Sequence, residues 1–207
     1  LLGLKYLPGW VKLVWLFHMQ HKGKNLTFDK ITDDGRLWAV RYDGEGDNAF
    51  YILFDKWDDV VWLRQFFRDN WDDLSAYFKV TDINQAIEDT IEDSDQLQCL
   101  MLDLQPDSNL ESLFHSLENF RISEMMLGKE KAKLKRTVRH SSWFRIYAIK
   151  LSQGVYVITG GAIKLTLKME ERNHTKAELA KLDKVRRFLL NEDIIDDDSF
   201  IDYVTTI

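Results

Sequence analysis

Hydrophobic and polar positions along this chain switch between two periods. Leu2 to Leu7 reads as a first strand, and Pro8 suits the start of a helix carrying Trp10, Val11, Val14, Trp15, Phe17 and His18 as far as His21. Leu26–Phe28 is a short strand. From Gly35 to Trp57 the chain reads as a hairpin: residues 36–43 alternate, Asp43–Asn48 supplies the turn, and Ala49–Phe54 returns. Asp58 and Asp59 then open a helix to Phe78, with Val60, Val61, Leu63, Phe66, Phe67, Trp71 and Leu74 as its inner stripe. A second helix starts at Asp82. It turns Ile83, Ala86, Ile87 and Ile91 inward and the acids Glu88, Asp89, Glu92, Asp93 and Asp95 toward water. Leu97–Leu104 fits a strand or a short buried helix, and the turn around Pro106 favours the strand.

Ser108-Asn-Leu-Glu111 fits a capping box opening a short helix through Leu117. Trp143–Lys150 sets Phe144, Ile146 and Ala148 against Trp143, Arg145, Tyr147 and Ile149, Ser152–Gly154 turns the chain, and Val155–Lys164 returns, with Gly160-Gly161 as a bulge or bend. Thr175-Lys-Ala-Glu178 is a second capping box, followed by Leu179, Leu182, Val185, Phe188 and Leu189 at helical spacing. Asp198 or Ser199 caps a last short helix through Tyr203. The pattern predicts an α+β protein, an antiparallel sheet with hairpins packed by helices. It divides into an N-terminal region, 1–104, and a C-terminal region, 105–207, as two lobes or as one compact unit.

Composition narrows the class. Aromatic residues reach 13%, enough for a sizeable core and too many for a disordered chain. A single cysteine, Cys99, excludes an internal disulfide and a multi-cysteine zinc site; it sits in the apolar run 97–102 and is expected to be a buried thiol. No run reaches the ~18 apolar residues of a membrane helix. The N-terminal stretch, interrupted by Lys5 and Pro8, does not read as a signal peptide, so a cytoplasmic protein without membrane contact is expected.

Charge adds one asymmetry. The formal net charge is -6, yet residues 129–150 hold eight Lys/Arg against one acid, a local +7 that leaves -13 for the rest. A polyanion would dock there, through Lys131, Lys133, Lys135, Arg136, Arg139 and Lys150. Arg145 and Tyr147 are two apart on one strand and share a face. His140 lies just upstream, Lys164 ends the returning strand, and His174 precedes the last long helix. Such a set could clamp phosphate and move protons, as RNA cleavage through the 2'-hydroxyl requires. The same residues also fit the amphipathic face of an ordinary strand. Thr159–Lys164 lacks the spacing of a phosphate loop, and no HExxH or Gly-x-Ser-x-Gly pattern occurs, so no metal, nucleotide or other cofactor is called for. The aromatics of residues 50–78 have few basic neighbours and read as core or as a partner surface.

At the second hairpin the chain resembles the RelE/HigB group of toxin–antitoxin ribonuclease toxins. The matching pieces are Phe144-Arg-Ile-Tyr147, the turn at Gly154, Val155–Lys164 and the helix from Thr175 to Leu190, over about residues 108–190. It is also similar to uncharacterised proteins of Bacteroides-type mobile elements. The toxin resemblance implies an RNA-binding, metal-independent endoribonuclease acting on mRNA at the ribosome and countered by an antitoxin, with Arg145, Tyr147, His140, Lys164 and His174 as the residues to test. Such toxins are usually about half this length and basic overall, whereas this chain is acidic. Two other readings stand beside it: a non-enzymatic interaction or regulatory protein of a mobile element, using its acidic, aromatic half to bind a protein partner, and an inactive relic of the toxin fold.

Overall fold

A computed structural model describes residues 26–105, 108–117, 127–132, 140–152, 154–167 and 171–206. The strand expected at 2–7 and the helix at 8–21 lie outside them. The described residues form an α+β fold with six helices and one six-stranded mixed sheet. The strands are β1 (Thr27–Lys30), β2 (Leu37–Arg41), β3 (Phe114–Ser116), β4 (Gly128–Ala132), β5 (Phe144–Lys150) and β6 (Tyr156–Ile163), in the order β1-β2-β6-β5-β4-β3. All neighbours are antiparallel except β2 and β6, which run parallel. The antiparallel pairs β1–β2 and β5–β6 therefore belong to one sheet, joined through β2 and β6.

The helices are α1 (Ala49–Asp58), α2 (Val60–Asp69), α3 (Trp71–Phe78), α4 (Ile83–Leu102), α5 (Asn173–Asn191) and α6 (Asp197–Thr206). The expected return strand at 49–54 is α1 instead. Asn48 caps it, its side chain accepting from the amides of Phe50 and Tyr51. Ala49, Phe50, Leu53, Phe54 and Trp57 then bury one helical stripe. Aromatic residues favour strands as a class, but here the spacing and the cap outweigh that preference. Asn48 also donates to Asp29 on β1 (2.9 Å) and is 2% exposed. Asn48→Ala is expected to cost about 1–2 kcal/mol in urea denaturation, because cap and strand contact go together; an unchanged midpoint would show that α1 does not depend on this cap.

Four further expectations change. The strand favoured at 97–104 continues α4 as far as Leu102, with Leu97 and Met101 inward and Cys99 outward. Cys99 is thus exposed, not buried. The helix expected from the 108–111 box is a 3₁₀ turn, Leu110–Ser112, capped by Asn109, after which β3 begins. The helix expected at 58–78 is broken at Asn70 into α2 and α3.

The sheet is covered on both faces. On one lie α1–α4, over Leu37, Ala39, Phe144, Ile146, Ala148, Tyr156 and Ile158. On the other lies α5, whose Leu182, Val185 and Leu189 meet Trp38, Val40, Tyr147, Ile149 and Val157, with α6 adding Phe200. Phe200 meets Phe28 and Trp38 edge-on, both at 5.3 Å. Burying each such aliphatic side chain contributes roughly 1.5–3 kcal/mol. A bulge reverses the facing of β6: Tyr147 pairs with Gly160 but Ala148 with Ile158, so Thr159 is the extra residue. Val157 faces α5 before the bulge, and Ala162 faces it after. With a strict two-residue period they would point oppositely.

Candidate functional site

The bulge also marks where the sheet opens. β2 pairs with β6 only over Leu37–Ala39 and Tyr156–Ile158. Beyond that point Tyr42 reaches across, its hydroxyl donating to the carbonyl of Thr159 (2.6 Å). Burial, aided by the charge of Glu178, raises the Tyr42 phenol above its usual range. Gly160 has φ +150°, a backbone position few side chains tolerate, and a Cβ there would lie 2.1 Å from Oε2 of Glu178. Glycine thus lets α5 set a carboxylate directly against the strand.

Around this point stands a polar cluster. Glu178 is 9% exposed; Oε1 accepts from Lys181 (2.8 Å), and the buried Oε2 has no hydrogen-bond partner. Tyr147 is 1% exposed, and its hydroxyl is buried without a partner. Burial raises its phenol; Arg145 opposes the shift and Glu178 adds to it. Lys56 on α1 belongs to the same field: burial lowers its amine and Glu178 draws it back. The ammonium groups of Lys181 and Lys184 lie over the Tyr42 ring, 5.8 and 5.2 Å from its centroid.

The residues singled out in the sequence fall in several places. Arg145 and Tyr147 share the α5 face of β5, as their spacing requires, but α5 covers that face. The Arg145 guanidinium, half-buried, donates to the carbonyls of Ser142 (2.9 Å) and Phe144. Lys164, just past β6, donates to the carbonyl of Leu167. His174, in the first turn of α5, donates from Nε2 to the carbonyl of Ile163 (3.0 Å), and its ring meets Phe66 edge-on. Burial holds its imidazole below the usual range, with Lys56 and Arg172 adding to the effect and the Ile163 bond opposing it. Arg145 pairs with Ala162, so Arg145, Lys164 and His174 gather at one end of β5 and β6. Lys150 is at the opposite end of β5, ion-paired to Glu111. Lys131 lies on β4, opposite Tyr147 in register. Lys133, Lys135, Arg136 and Arg139 lie outside the described residues.

His140 occupies a second buried cluster, on the helical face. Its ring stacks on Trp143 (centroids 3.7 Å apart), and Nε2 is 3.7 Å from Oδ2 of Asp89. Asp89 and Asp93 are 6% and 4% exposed, which corrects the expectation that both face water. They share a face of α4 with Ala86 and Leu97, so the helix that buries those apolar residues buries the acids too. Gln85 donates to Asp89 (2.9 Å), while Oδ2 of Asp93 has no partner. Burial pushes the Asp93 carboxyl up to about 6, against the pull of His140 and with repulsion from Asp89 and Glu92.

Sequence reasoning missed Glu178, Tyr42 and the Asp89–Asp93 pair. The capping-box reading assigned Glu178 to a helix start at Thr175. Instead α5 begins at Asn173, and Thr175 donates to the carbonyl of Arg172 (3.0 Å). The available signal was periodic: Glu178 lies on the stripe of Leu182, Val185 and Leu189. Arg172 makes a two-pronged pair with Asp73 (both 2.6 Å), tying the start of α5 to α3.

Among the described residues no group of three or more His, Cys, Asp or Glu is arranged to hold a metal ion, and no helix is long and apolar enough to cross a membrane. The chain matches no protein-family model, no curated protein and no solved structure.

Proposed function

We propose that this protein is a non-enzymatic interaction module that receives a basic protein partner on its α1–α4 layer. The observation that carries this reading is the setting of Tyr147 and Arg145. A group that cleaves RNA must meet the scissile phosphate and its 2'-hydroxyl. Tyr147 is 1% exposed beneath α5, and the Arg145 guanidinium is engaged by two carbonyls of its own chain. Lys164 and His174 likewise end on carbonyls, and Lys150 on an acid. These contacts orient and hold the fold, and they leave little of the set for a substrate.

The choice of partner rests on charge and exposure. Residues 49–103 contain thirteen acids and four bases. Within that layer Val61 is 79% exposed, Tyr77 50% and Leu100 48%. Apolar side chains interleaved with exposed acids suit a partner surface that is basic and partly apolar. The ribonuclease reading, which rests on the charge of residues 129–150, the residue types of the hairpin and a family resemblance, is the rival to be tested.

Induced expression of wild type beside an Arg145→Ala/Tyr147→Phe variant, with growth and transcript integrity followed, separates the two. Normal growth and intact RNA are expected from both. Growth arrest with cut transcripts, relieved by the double change, would replace this proposal with a toxin-like ribonuclease.

A further inference from the structure

The C-terminal half of α4 presents an open groove of about 500 Å³, lined by Gln96, Cys99, Leu100, Asp103, Leu104 and Ser108. Its far wall is fixed by Arg36, which donates to the carbonyls of Gln105 and Ser108 (both 2.7 Å) and is ion-paired to Asp34. The groove therefore exists before anything binds. Two features of its chemistry agree. Leu100, 48% exposed, and the half-buried Leu104 give the groove an apolar surface at the end of the helix. The rim is negative: Glu92, Asp95 and Asp103 are exposed beside Gln96 and Cys99 at helical spacing, and Asp103 occupies the C-cap. The last turn of α4 carries no basic residue, so the helix itself supplies no counter-charge to its negative end. Among the described residues Arg36 is a cation beside the groove, and Asp34 pairs with it.

We infer that this groove is the docking site for a lysine- or arginine-rich amphipathic segment of a partner protein, its apolar side chains against Leu100 and Leu104 and its cations toward Asp103 and the end of α4. This inference rests on the interaction-module reading and gives it a location. A purely polar cationic chain would leave the leucines uncovered. An apolar one would leave the acids and the helix end without counter-charge.

Cys99 is the sole cysteine of the chain and lies in the groove, so it reports on occupancy directly. The experiment uses the full chain and a synthetic helical peptide with leucine on one face and lysine on the other. Maleimide should alkylate Cys99 in the free folded protein, and the peptide should slow that reaction. The peptide's affinity, read by fluorescence anisotropy, should fall about tenfold in Asp103→Lys. It should also fall in Leu100→Ser, which leaves the charge unchanged; both sites are exposed, so the fold is retained. A Cys99 inert in the free protein would mean the groove is already covered, and would overturn the inference. Peptide binding that neither protects Cys99 nor responds to Leu100→Ser would overturn the groove while leaving a basic partner elsewhere. No binding of the peptide at low salt would count against both.

Discussion

Gly161→Ala is expected to lower the unfolding free energy by about 3 kcal/mol and the melting temperature by about 10 °C. Gly161 follows the bulge in β6 and lies opposite Ile146 of β5. A Cβ at this position would stand 2.5 Å from Cδ2 of Leu53 and 2.7 Å from the carbonyl oxygen of Arg145. Leu53 can turn, although it is 6% exposed in a packed core. The carbonyl cannot move without dragging β5, because it belongs to the strand's own backbone. The added methyl therefore separates β5 from β6 or lifts α1 from the sheet, and either displaces the segment that carries Arg145. Gly46→Ala is the matched control: its Cβ would meet nothing within 4 Å, and its stability should change by less than about 0.5 kcal/mol. Chemical denaturation of the two variants beside wild type decides the matter. Equal midpoints for Gly161→Ala and wild type would mean that the α1–β6 approach is looser than the structure has it.

The bulge was legible in the sequence because two adjacent glycines inside an apolar strand have few other uses. The α5 stripe was legible because its 3.6-residue period is uninterrupted. Ala49–Trp57 and Leu97–Leu102 were misread for a shared reason. A short apolar run satisfies both periods, and the deciding contact lies outside it: the Asn48 cap in one case, the length of α4 in the other. The parallel pairing of β2 with β6 joins residues more than a hundred positions apart, and no local pattern encodes it. For the candidate site, the two-residue period placed Arg145 and Tyr147 on one face correctly. It could not say that α5 covers that face. The hint was that β5 is apolar on both sides, Phe144, Ile146 and Ala148 against Tyr147 and Ile149, as a doubly covered strand must be. The stripe drawn through Ile83, Ala86, Ile87 and Ile91 turns Asp89 and Asp93 to water, and the capping box takes Glu178 for a helix start, which hides all three. A helix buries whatever its stripe carries, and the energetic consequence then appears in ionisation.

Asp93→Asn is expected to stabilise the protein by about 1–2 kcal/mol at pH 8 and by almost nothing at pH 4. Asp93 is 4% exposed on α4, and one carboxylate oxygen is buried without a partner. Burial raises its carboxyl from the ordinary 3.8 to about 6. Among the described residues, Asp89 and Glu92 on its own helix repel it and His140 before β5 attracts it. Because the folded state holds the proton more tightly than the unfolded one, lowering the pH favours folding. Stability should therefore decline as pH rises from about 4 to about 6, then level off with the full penalty of a buried charge in place. An amide of the same shape carries no charge and should remove that decline. The measurement is the urea midpoint of wild type and variant across this range. A gain of the same size at pH 4 would show that charge is not the cause. A loss at pH 8 would show that the ionised carboxylate is paired, and His140, whose Nε2 lies 3.7 Å from Oδ2 of the neighbouring Asp89, would be the first residue to examine.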